Sequence, residues 1–272
     1  MPNSRQIARR TCTRLERQLL KLGANPASEN VHHFRTYGRR VEALLSAQSV
    51  QPKRNEKKLL KLLARLRKKA GKVRDLDVQI AALRNLKIPD DRERKLQLIE
   101  ALSEERTKRQ SRLVKALDKE TIRELRKRLK RAEAVIPDEL YPLQEANRHL
   151  SALKAGVGPV TEEMLHQYRI AGKRARYLAE LSKDPEAVRM VEILKRMQDV
   201  IGDWHDWLKL SQRAEERFGR QRSALLSALR NVTQAKFHQA VSALEEARTT
   251  LAPKKAVAGD GLAARAMSAA VA

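Results

Sequence analysis

Shifted along itself by 134 positions, the sequence lays Val31-His32-His33-Phe34-Arg35 through Arg39-Arg40 onto Leu165-His166-Gln167-Tyr168-Arg169 through Lys173-Arg174. His32/His166, Arg35/Arg169, Gly38/Gly172, Arg40/Arg174 and Leu44/Leu178 coincide, while Phe34/Tyr168 and Arg39/Lys173 keep their chemistry. A second match, at a shift of 131, carries Leu62-Leu63 and Gly71 to Leu76 onto Ile193-Leu194 and Gly202 to Trp207. Two matches at nearly one spacing mean two copies of one unit, so any fold for the chain must be built twice. Repeat one is assigned to about 1–134 and repeat two to about 135–252.

Each unit reads as helices. Aromatic residues make up only 3%, with 10 glycines and 9 prolines, which leaves little material for strands or turns. Leu, Ala, Arg, Lys and Glu dominate, the usage of long helices, and the expected fold class is all-α. Ile7, Leu15, Leu19 and Leu22 predict a helix over 5–22 that stops at Gly23. Ser28 caps a second, to about Ser49, closed by Pro52. Leu59, Leu62, Leu63 and Leu66 predict a third from roughly Asn55 to Leu86, with a kink or weak point at Gly71. From Asp90 to about Ala134, Leu96, Ile99, Leu102, Leu113, Leu117, Leu125 and Leu129 predict one long fourth helix, uninterrupted by Pro or Gly. After Pro137, helices are expected near 138–155, 160–182, 185–218 and 220–251, so the count repeats as four plus four. Residues 253–272, Ala-rich with Gly259 and Gly261, read as a mobile, disordered tail.

With 58 Lys and Arg against 33 Asp and Glu, the formal charge is +25. A chain so charged repels itself unless an anionic partner neutralises part of it, although basic charge on helix exteriors is also found as a merely solvated face. Arrangement decides between these. On a helix with His32 at zero, Arg39 and Arg35 fall within about 60° of it, whereas Phe34, Tyr37, Val41, Leu44 and Leu45 lie at about 120° to 220°. In the second copy His166, Arg169, Lys173 and Arg176 share a face opposite Tyr168, Ala171, Ala175 and Leu178. Like charges stacked one turn apart cost helix stability, and the arrangement occurs twice. Arginine forks two hydrogen bonds to phosphate oxygens and lysine adds an unforked charge, so a phosphate polyanion is the expected ligand class. Histidines facing such a ligand gain protons more readily, and binding is expected to strengthen as pH falls. Gly38 and Gly172, at the border of the faces, leave room for a neighbouring helix or ligand. The block Arg123, Arg126, Lys127, Arg128, Lys130 and Arg131 exceeds what a helix dipole needs and is a further expected reach toward the anion.

Other chemistries are poorly supported. One cysteine, Cys12, excludes an intramolecular disulfide or Cys-based zinc cluster. His32, His33 and His166 match no metal-binding spacing and sit among arginines, so neither metal nor cofactor is expected. Neither a phosphate-cradling Gly-Lys-Ser/Thr loop nor a carboxylate cluster free for magnesium is present, so no enzyme is expected. Asp75, Asp77, Asp199, Asp203 and Asp206 are read as ion-pair partners that orient arginines. Trp204 and Trp207 are read as packing side chains rather than a base-stacking platform. No stretch of 18 apolar residues and no apolar leader are visible, which points to the cytoplasm and away from a membrane.

Both H-x-x-R-x-x-x-[RK]-R stretches, together with Val73-Arg74-Asp75-Leu76-Asp77 and Gln198-Asp199-Val200-Ile201-Gly202-Asp203, resemble the CHAD family, named for a conserved-histidine alpha-helical domain. The resemblance covers nearly all of residues 1–250. It implies a domain over 1–252 made of two four-helix bundles related by pseudo-twofold symmetry, a basic groove or cavity between them, and non-catalytic binding of inorganic polyphosphate with recruitment to polyphosphate granules. Carried over, the ligand contacts are His32, Arg35, Arg39 and Arg40 with His166, Arg169, Lys173 and Arg174, and Arg176 joins them by its place on the second face. Arg40 and Arg174 stand at the edge of the basic face, where they either contact the ligand or pair with Asp75 and Asp206. The sequence departs from the simplest pattern at His33 and at Trp204-His205-Asp206-Trp207. The alternative function is nucleic-acid binding, since the charge alone would give weak, salt-sensitive DNA attraction.

Overall fold

Apolar residues at threes and fours produce helices, and their order is α1 (Ser4–Ala24), α2 (Ser28–Gln48), α3 (Arg54–Asn85), α4 (Arg92–Lys115), α5 (Lys119–Ala134), α6 (Pro142–Ser151), α7 (Glu162–Ala179), α8 (Pro185–Phe218) and α9 (Ala224–Leu251). The structure, a computed structural model, describes residues 4–48, 52–137, 140–151, 159–219 and 223–251. Among the described residues there is no strand, and no helix is long and apolar enough to cross a membrane. The expected tail, 253–272, lies outside them.

Two expectations are corrected. The single helix from Asp90 to Ala134 is two, α4 and α5, broken at 116–118. Asp118 caps α5 by accepting a hydrogen bond from the Thr121 amide at 2.6 Å. Leu117, just before the cap, and Ile122, in the first turn, pack into one core, the arrangement of a hydrophobic staple. Capping therefore overrides a continuous apolar spacing, and the helices before and after Pro137 number five and four among the described residues. At Gly71, by contrast, α3 continues without a break. Leu59, Leu63, Leu66, Ala70, Val73, Leu76, Ile80 and Leu83 form one buried stripe along its 32 residues.

Packing places α1, α2, α3 and α5 in a ring, each against two others of the four, around a core that includes Leu15, Leu19, Phe34, Leu63 and Leu125. Helices α6, α7, α8 and α9 enclose a second core with Tyr168, Leu178, Met197 and Trp204. Trp204 is buried there, edge-on to Phe237 at 5.8 Å, a packing residue as expected. A third core draws on both halves: Leu76, Leu83, Leu98 and Leu102 meet Leu210, Leu225, Leu226 and Leu229. Between the halves, α2 packs on α7, α3 on α8 and α4 on α9. Arg213 adds a polar tie by pairing with Glu105 at 2.6 Å. Cys12 is buried in the first core, and burial, aided by Glu133 and Glu16, pushes its thiol up to about 12, so it is inert.

Candidate functional site

Burial of Val31, Phe34, Val41 and Leu45 in the first core fixes the rotation of α2. Burial of Leu165, Tyr168, Ala175 and Leu178 in the second does the same for α7. Because these two helices pack on each other, Arg35 and Arg39, one turn apart on α2, converge with Arg169 and Lys173, one turn apart on α7. Helices α3 and α8 flank the cluster with Gly71, Asp75, His205 and Asp206.

Arg35 is the best-held member. Its Nη1 donates to the Gly71 carbonyl at 3.0 Å and to Asp75 Oδ1 at 3.2 Å. A Cβ on Gly71 would stand 3.4 Å from that nitrogen, so the glycine lets the guanidinium lie close against α3. The matching position in the second copy is different: nothing lies within 4 Å of a Cβ at Gly202. Arg169 makes no corresponding latch, and its buried Nε has no hydrogen-bond partner. At Gly172 the room is taken by α8, since a Cβ there would come 2.8 Å from the Met197 methyl.

The electrostatics follow from four cations in a half-buried setting. Burial, with Arg169, Arg39 and Arg35 alongside, pushes the Lys173 amine down to about 6, against the pull of Asp206. Burial pushes Asp206 up to about 6, helped by Asp75 and Asp203 and opposed by Arg169 and Lys173. Arg39 is lowered to about 10 by burial and by Arg67 and Arg35, so it stays charged at neutral pH. Burial and Arg169 drive His205 down to about 4, and burial followed by Arg74, His33 and Arg35 lowers His32. His166 stands exposed on α7 with its ring 6.0 Å from that of His205. Near neutral pH the cluster thus presents three guanidiniums beside a mostly uncharged Lys173 amine and an uncharged His205 ring, a surface rich in donors.

The edge residues go elsewhere. Arg40 does not pair with Asp75: its Nε donates to Glu180 Oε2 at 2.7 Å. Glu180 Oε1 accepts from Arg176 at 2.9 Å, and Arg176 Nε donates to Gln198 at 2.9 Å. One carboxylate therefore neutralises two of the predicted contact residues while joining α2 to the end of α7. Arg174 is exposed and its charge lowers the pKa of His149 after that ring's burial, while Asp206 faces Arg169 and Lys173 instead. Asp77 pairs with Arg106 at 2.6 Å as an arginine-orienting carboxylate, whereas Asp203 takes Lys236 at 2.8 Å and Asp199 is exposed. The basic block of α5 is not at the cluster, because α5 packs on α1 and α3, the two ring neighbours of α2. Sequence reasoning missed Glu180, whose signal is its i,i+4 spacing from Arg176, and Arg67, which pairs with Glu42 at 2.9 Å. Among the described residues no group of three or more His, Cys, Asp or Glu could hold a metal ion.

A family model for the CHAD domain matches residues 6–215, and the chain belongs to that family. The CHAD domain of the plant Ricinus communis, known from a crystal structure, has the same fold, with a TM-score of 0.68 over 92% of this chain and 91% of that one, at 18% identity. No curated protein matches the sequence.

Proposed function

We propose that the α2/α7 cluster binds inorganic polyphosphate without turning it over, and that the protein is drawn through it to polyphosphate granules in the cytoplasm. The observation that carries this reading is the convergence of Arg35, Arg39 and Arg169, with Lys173, from two helices that are copies of each other in sequence. Forked donors gathered from two helices suit a chain of phosphates, and Arg169 Nε is a donor in want of an acceptor. His32 and His166, at the exposed ends of the two faces, would donate to the same chain. The reading also takes the two halves as duplicated bundles about a pseudo-twofold axis, supported by α2 meeting α7 and α3 meeting α8, each helix on its repeat counterpart. The charge of +25 favours nucleic acid as the competing ligand.

Titration with long-chain polyphosphate at about 0.15 M salt, with duplex DNA as competitor and the polymer length checked afterwards, tests all three classes. Retention of intact polymer against DNA is expected. Displacement by DNA would give the nucleic-acid reading, and shortened polymer an enzyme.

A further inference from the structure

The charge of the chain is lopsided in a way the cluster does not use. Residues 1–134 hold 37 Lys and Arg against 16 Asp and Glu, a net +21, whereas 135–272 hold 21 against 17, a net +4. The excess lies on the outward faces of the first ring. On α3, Lys57, Lys61, Arg65, Lys68 and Lys72 fall within an arc of about 80° opposite the buried leucines, spanning about 22 Å. All five are exposed and none forms an ion pair among the described residues; a carboxylate, Asp118, lies within the field of Arg65. On α1, Arg10, Arg14, Arg17 and Lys21 make a similar exposed and unpaired stripe, and on α5 so do Arg123, Lys127, Lys130 and Arg131. Like charges stacked at three and four residues work against each helix.

Shape narrows the ligand. In the ring α1–α2–α3–α5 the four outward faces point in four directions, so a flat lipid surface or a stiff duplex meets one or two of them at a time. A flexible linear polyanion can follow them round. The α3 stripe is also continuous with the cluster, since Lys68 and Lys72 flank Gly71 and Asp75, where Arg35 is latched.

Resting on the polyphosphate reading, we propose that α1, α3 and α5 form a basic belt that holds the part of a long polyphosphate chain extending beyond the α2/α7 cluster, so that the protein selects long chains over short ones. The cluster grips one segment, and the belt adds contacts only when the polymer is long enough to reach it.

The test compares a short oligophosphate with long-chain polyphosphate on the full chain and on Lys61→Gln/Lys68→Gln/Lys72→Gln, three exposed positions where folding is checked by circular dichroism. Expected for the long chain are a roughly tenfold loss of affinity and a fall of about three in the slope of log K against log salt, one per lysine, with short-chain binding unchanged. Equal losses for both lengths, or no loss for the long one, overturn the belt. Arg35→Ala/Arg169→Ala separates the two proposals: it weakens both lengths if the cluster is the primary site, whatever the belt does. A triple variant that loses only duplex DNA would make the belt a nucleic-acid surface and overturn the proposal.

Discussion

Lys173 and Asp206 both titrate at about 6, so lowering the pH through that value adds a charge to the amine and removes one from the carboxylate. Both changes draw in a polyanion. Polyphosphate affinity is therefore expected to rise as pH is lowered from about 8 to about 5.5, and Lys173→Met to flatten the profile in titrations across that range. His32→Gln is expected to change the profile less than Lys173→Met does, because burial and then Arg74, His33 and Arg35 hold that ring below its usual range. A profile moved by His32→Gln but not by Lys173→Met would sink this account. The same lysine acts on folding in a defined sense. Its amine is lowered from 10.5 to about 6, so between these values the unfolded chain carries a proton that the folded chain lacks, and stability rises with pH across that window. Asp206, raised from 3.8 to about 6, contributes in its protonated form, and that contribution is lost as pH rises through 6. At pH 7 Lys173→Met is expected to melt higher than the parent while binding polyphosphate more weakly, an exchange of stability for function that thermal melts and titrations would read together.

Glycines and caps decide how the helices meet. Gly202→Ala meets open space within an α-helix and is expected to stabilise the protein by about 0.5 to 1 kcal/mol. Gly172→Val presses on Met197 and Leu194 of α8 and is expected to destabilise by about 1 to 3 kcal/mol in urea denaturation. If Gly172→Val were neutral, the contact between α7 and α8 would be looser than the structure has it. Glu180 ties α2 to α7, and Glu180→Ala leaves two half-buried guanidiniums without their carboxylate, an expected loss of about 2 kcal/mol by the same measurement. Helix positions were legible in the sequence because apolar spacing records which face is buried, and that same spacing rotated His32, Arg35, His166 and Arg169 correctly toward one side. The break at Leu117-Asp118 was not, since a staple and a cap leave no interruption in the spacing. Nor were the partners of Arg35 and Arg40: an angle on one helix says where a side chain starts, whereas Asp75 and Glu180 are brought to it by other helices.

The third core gives the halves a shared interior, with Leu83 and Leu102 against Leu210 and Leu229 from beyond the midpoint. Two halves so joined are expected to unfold in one transition by calorimetry; two separate transitions would show that the cores act independently. Leu226→Ala in this core is expected to cost about 2 to 5 kcal/mol and to lower the stability of both halves together. Cys12 has a practical consequence at this scale. It is the chain's single cysteine, is sealed in the first core, and has a thiol too weakly acidic to react at neutral pH. A cysteine introduced on an exposed position of each half, for example at Ser111 and Ser227, could be labelled with a pair of fluorophores without removing the native one. The separation of the two halves could then be followed in real time as a polyanion is added.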